Sequence, residues 1–146
     1  MKFEIKHRWS GAVLFELETD SFRLCVEAAV KEDVNLARAD LAGADLAGAD
    51  LAGAKLTGSL TLVGARPVIQ IGPIGSRAAL LSAYLTDGGV YVRTGCFFGT
   101  LKKFGEAVTD EHGDNAHGTE YRAAIALIEA HAAPWTPKAA AAEVAA

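Results

Sequence analysis

The side chains best able to do chemistry lie in the C-terminal half of this 146-residue chain: Arg77, Arg93, Cys96, His112, Asp114, Asn115, His117 and Tyr121. Three chemistries compete for them. In the first, Cys96 is a nucleophilic thiolate, His112 or His117 its base, and Asp114 or Asn115 the group that orients the base. The glycines of GCFFG would bring backbone donors close. The bland counterpart is a small apolar Cys96 at a strand end and a His112 that suits the dipole at a helix C-terminus. In the second, Cys96, His112, His117 and Asp114 hold a metal. The donor types suit zinc, but neither a close CxxC pair nor HExxH is present, so no metal and no cofactor is assigned. In the third, Arg77 and Arg93 pair with a small anionic ligand such as a nucleotide. Backbone N–H groups of GPIGSR would wrap it, Tyr121 or Phe97 would stack a base, and Asn115 and His117 would complete the site. GPIGSR is neither a P-loop nor GxGxxG, and a turn with surface arginines explains it as simply.

These residues need elements to position them. Thr100 can cap a helix over 100–112 with Leu101, Phe104 and Val108 inward, and Gly113 can end it. DNAHG reads as a loop. A second helix over 119–132 turns Tyr121, Ala124, Ile125 and Ile128 inward and stops before Pro134. Residues 78–86 and 90–94 flank Asp87-Gly88-Gly89, a hairpin signal. SLTLVG and PVIQIG are strand-like runs, with GPIGSR as a turn-rich joint. At the other end, residues 2–18 read as a hairpin: Phe3, Ile5 and His7 share one face, and Val13, Phe15 and Leu17 return beside them. Asp20 or Ser21 can cap a helix over 21–32, with Phe22, Cys25, Val26, Ala29 and Val30 as its core face.

Between these parts runs NLARADLAGADLAGADLAGAKL, residues 35–56, in which leucine returns every fifth position: Leu36, Leu41, Leu46, Leu51, Leu56. A helix turns about 100° per residue, so leucines five apart would wander round it. A strand alternates faces, so an odd spacing would throw them to opposite sides. A chain that turns a corner at each unit satisfies the period. Leucine then points inward, as do Val34, Ala39, Ala44, Ala49 and Ala54, and the residues between point out. Gly43, Gly48, Gly53 and Gly58 suit the corners.

The units ADLAG, ADLAG, ADLAG and AKLTG resemble the pentapeptide-repeat family, whose pattern is A(D/N)LXX. The resemblance implies a right-handed quadrilateral β-helix over residues 34–58 and says little about function. Some larger members of the family imitate DNA with stacked acidic faces. Here Asp40, Asp45 and Asp50 fall on three different faces, Leu60 stacks over Asp40, and Lys55 stacks over Asn35, so no acidic ladder forms. Five units make about one and a quarter coils, fewer than an array needs to stand alone. The layout as a whole is similar to small phage- and prophage-type pentapeptide-repeat proteins, with a closing segment like GCFFG…HGDN.

The expected architecture is α+β. A hairpin and capping helix (1–33) lead into a short quadrilateral coil (34–62), a C-terminal ββαα-like unit (63–133) and a low-complexity tail (134–146). A net charge of −4 argues against nonspecific DNA binding. Two distant cysteines, no apolar signal core and no membrane-length apolar run point to a cytoplasmic protein. No catalytic spacing is strong, so the expected role is a non-enzymatic interaction protein. Its partner is expected to be a host or phage protein, with self-association through the uncovered end of the coil. The alternatives are a cysteine enzyme built on Cys96, His112 and Asp114, and a sequestering binder of a small anionic nucleotide.

Overall fold

The structure is a computed structural model that describes residues 1–7, 10–34, 36, 51–57, 60–76, 78–95 and 97–137. The chain is mixed α+β, with antiparallel sheets and three helices among the described residues.

The N-terminal hairpin pairs β1 (Lys2–Lys6) with β2 (Val13–Glu18). Phe3 faces Leu17 and Ile5 faces Phe15, but the register then slips so that Lys6 faces Val13. The slip makes Leu14 the extra residue of a bulge. Leu14 consequently packs on the core and Val13 turns out to solvent, which corrects the expected Val13–Phe15–Leu17 face. Helix α1 (Phe22–Lys31) starts at Ser21, whose side chain accepts the Leu24 N–H. It buries Cys25, Val26 and Ala29 at helical spacing.

The C-terminal half is larger than the expected ββαα unit. It is a four-stranded antiparallel meander, β5 (Val68–Ile74), β6 (Ala79–Thr86), β7 (Gly89–Thr94) and β8 (Phe97–Thr100), followed by α2 (Leu101–His112) and α3 (Ala116–Trp135). PVIQIG, strand-like in sequence, supplies β5, and CFFG supplies the short β8, which has no clear alternation of its own. The β6–β7 turn sits on Asp87-Gly88, with Thr86 opposite Gly89. Thr100 caps α2 by accepting the Lys103 N–H, and Gly113 ends it at positive φ.

Two features of α3 differ from expectation. It begins at Ala116, inside the expected DNAHG loop, because the Asn115 side chain accepts the Gly118 N–H and caps the first turn. It also continues through Pro134 to Trp135. A proline this near a C-terminus forfeits one N–H bond, and the Thr136 N–H closes the final turn on the Ala132 carbonyl at 2.9 Å.

The meander divides two packed clusters. Leu81, Ala83 and Val92 face α2 and α3, meeting Phe104, Val108, Tyr121, Ala124 and Ile128. Tyr84, Tyr91 and Phe98 face the other way, into a cluster with Ile5, Cys25, Val26 and Ala29 of the hairpin and α1. Leu36, Leu51, Ala54 and Leu62 belong to that second cluster. Leu36, Leu51 and Ala54 are therefore inward, as the five-residue period requires, while Lys55 is exposed.

Leu41, Leu46 and the side chain of Leu56 lie outside the described residues, as does most of the expected coil. The described part of 34–62 includes a turn and a two-stranded antiparallel ladder, β3 (Lys55–Thr57) with β4 (Leu60–Thr61). No closed coil forms among the described residues. No described helix is long and apolar enough to cross a membrane.

Candidate functional site

A cleft of about 110 Å³ opens where the β5–β6 turn, the end of β7, α2 and α3 converge. Its walls are apolar: Phe97, Phe104, Ala107, Val108 and the ring of Tyr121. Its polar groups are Ser76, Thr94, Glu111 and His112. Phe104, Ala107, Val108 and Glu111 recur at helical spacing, so the inner stripe of α2, carried one turn further, leads to Glu111. Ser76 and Thr94 gave no such signal, because turn and strand ends have no period to extend.

Aromatic rings run through this region in a chain. Phe97 and Phe104 lie 5.3 Å apart, and Phe104 meets Tyr121 edge-on at 5.5 Å. Tyr121 stacks on His112 at 5.6 Å, and His112 lies 5.5 Å from His117. Each contact joins two of β8, α2 and α3, so the rings clamp the helices to the sheet edge. His112 also sits in the last turn of α2, where a positive charge suits the helix dipole.

The cleft is held shut on one side by the turn that follows β5. Gly75 has φ +77°, and a Cβ there would collide with the Tyr121 ring. The Gly75 N–H donates to the Glu120 carboxylate. Two consecutive residues of α3 thus hold this turn, and Ser76 follows directly at the cleft wall.

Of the sequence candidates, the structure brings His112, His117 and Tyr121 together. Asp114 is fully exposed and pairs with Arg122 at 3.6 Å. Arg122 also donates to the Gly113 carbonyl at 2.7 Å, which fixes the α2–α3 turn. Asn115 serves as the α3 cap. Arg93 stands on the far side of the sheet: its neighbour Val92 faces the helices, while its own guanidinium lies 4.8 Å over the Phe98 ring. Arg77 and Cys96 lie outside the described residues. No group of three metal-binding side chains occurs among the described residues.

A second locus is the junction between the five-residue repeat and the rest of the fold. The Gly53 N–H bonds the Leu62 carbonyl at 2.9 Å, and the Leu62 N–H returns to Ala54 at 2.8 Å. Leu62 bridges to Thr86 of β6, and the Val63 N–H bonds the Leu85 carbonyl at 2.9 Å. The Asp87 carboxylate accepts the Thr61 N–H at 3.1 Å, and the Asp87 N–H bonds the Thr61 carbonyl at 3.0 Å. Gly88 leaves room for Leu60, whose methyl would meet any Cβ there. The exit of the repeat is thus fastened to the β6–β7 hairpin, and its entry, at Leu36, shares a core with α1.

The family model described as pentapeptide repeats (8 copies) matches residues 32–65. Residues 32–65 are pentapeptide repeats. The pentapeptide-repeat segment so defined begins at the C-cap of α1 and ends beyond the Leu62–Thr86 bridge, so both anchoring points fall inside it. Comparison of the chain with curated proteins and with solved structures yields no match.

Proposed function

We propose that this chain is a non-enzymatic interaction protein that presents the sides of its pentapeptide repeats to a protein partner. The observation that carries this reading is the burial of Leu36, Leu51, Ala54 and Leu62 in one cluster with α1, the hairpin and the sheet. Anchoring both ends of a short repeat offsets, on folding, the entropy cost of holding it in shape, and leaves its outward residues available to a partner. In this reading residues 34–58 wind as a short quadrilateral coil with Asp40, Asp45 and Asp50 outward. The partner is a host component, the role is a phage-type accessory one, and the setting is the cytoplasm.

The catalytic alternative finds less support. Asp114 is engaged with Arg122 and Asn115 with the first turn of α3, so their chemistry is accounted for by the local fold. An anionic nucleotide is disfavoured too. The cleft holds only a few atoms, and Glu111 places a carboxylate on its wall.

The test compares proteins retained by the chain with those retained by an Asp40→Lys/Asp45→Lys/Asp50→Lys variant, which changes outward positions and spares the leucines. The reading expects a defined partner held by the first and lost by the second. Identical retention by both, or none by either, would contradict it. A parallel assay of iodoacetamide labelling at Cys96 expects an ordinary thiol rate that is unchanged by His112→Ala.

A further inference from the structure

Helix α3 packs on one side only. Tyr121, Ala124 and Ile128 are buried against the sheet and α2. At about 100° per residue, the opposite direction is taken by Thr119, Ala123, Ala126, Ala130 and Pro134, and all five are exposed. Leu127 beside them is 49% exposed, one of few large apolar side chains left to water among the described residues. A surface helix ordinarily carries its charge on that side. Here the charge is confined to the flanks: Arg122 and Glu129 on one, and Glu120 on the other, where its carboxylate accepts the Gly75 N–H.

The order of those charges selects an occupant. A two-fold axis that pairs two antiparallel helices sets each flank against the same flank of the other copy. Arg122 and Glu129 are equidistant from the point between Ile125 and Ala126. So are the ends of the helix, Ala116 and Trp135. One centre therefore overlaps the helices along their whole length. It also places Arg122, one of whose N–H groups is held by the Gly113 carbonyl, opposite the partner's Glu129. Alanine at the contact lets helix axes approach to about 8 Å, close enough for long flanking side chains to reach across. Antiparallel packing also aligns the helix dipoles favourably.

We propose that the outer face of α3 is a self-association surface on which a second copy of this chain docks antiparallel, about a two-fold axis between Ile125 and Ala126. This contact is separate from the partner surface assigned to the repeats.

Sedimentation equilibrium of the full chain at low salt tests it. The mass is expected to rise with concentration to that of two chains. Ala130→Glu, an exposed change to a good helix former, is expected to hold it at one chain with an unchanged circular dichroism spectrum. Glu129→Arg is expected to weaken association at least tenfold, because Arg122 then faces arginine. Arg122→Glu/Glu129→Arg is expected to restore it. A one-chain mass at every concentration would overturn the proposal, as would an Ala130→Glu protein that still sediments as two chains. A folded double-reversal protein that stays monomeric would also overturn it, since in a parallel pair the new glutamate would face Glu120.

Discussion

The ring of Tyr121 occupies the space that a side chain on Gly75 would need. This one contact ties the β5–β6 turn to α3 and shapes a wall of the cleft. Gly75→Ala would meet both a left-handed backbone, at φ +77°, and the Tyr121 ring. We expect a loss of about 2–4 kcal/mol in urea unfolding, the sum of a strained backbone and overpacking. In a Tyr121→Ala background, itself destabilised by loss of a buried ring, Gly75→Ala should cost only the backbone share. Equal stability of wild type and Gly75→Ala would show that the turn is not held there.

Asn115 separates a structural role from a chemical one. Its side-chain oxygen accepts the Gly118 N–H at 2.9 Å. Asn115→Ala should cost about 1 kcal/mol, as lost N-caps do, and Asn115→Asp should be nearly neutral. A ligand-binding asparagine would behave differently, with stability unchanged by either substitution.

Cys25 is fully buried beneath the hairpin, with its Sγ 3.6 Å from the Phe3 carbonyl. Burial pushes its thiol above the ordinary value of 9.0, against a smaller opposing effect of a backbone hydrogen bond from Leu17. The folded chain thus keeps a proton that the unfolded chain releases. The associated stability is complete below about pH 9 and is lost as pH rises through the folded value. Between pH 8 and pH 10.5 the wild type should lose more stability to urea than Cys25→Ala does. At pH 8 Cys25 should resist a thiol reagent in the native state and react on unfolding. Rapid native labelling of Cys25 would contradict its burial.

Local signals carried much of the fold. Ser21, Thr100 and Gly113 mark helix ends by their own chemistry, and the stripes Cys25–Val26–Ala29 and Phe104–Val108 follow the helical period. The five-residue period placed Leu36, Leu51 and Ala54 inside. What escaped depends on neighbours. The bulge at Leu14 is a property of two paired strands and leaves no trace in either alone. The β8 strand gains its status from the ladder it joins, whereas PVIQIG is already strand-like in sequence. The site was legible where α2 and α3 supplied a period, at Phe104, Val108 and Tyr121, and by residue type at His112. Glu120 and Ser76 reach the cleft region through a turn that is 45 residues from its anchor on α3, a separation no local pattern encodes. The opposed placement of Arg93 follows from strand alternation, once β7 is known to be a strand covered on both faces.

The central claim is that the pentapeptide repeats are built into the fold at both ends. Native-state hydrogen exchange tests it at single amides. The Gly53, Leu62 and Val63 N–H groups bond the Leu62, Ala54 and Leu85 carbonyls, respectively. The account predicts that these three exchange as slowly as the Leu85 N–H of β6, opening only with the shared core. Exchange of Gly53, Leu62 and Val63 at loop rates, with Leu85 still protected, would contradict it.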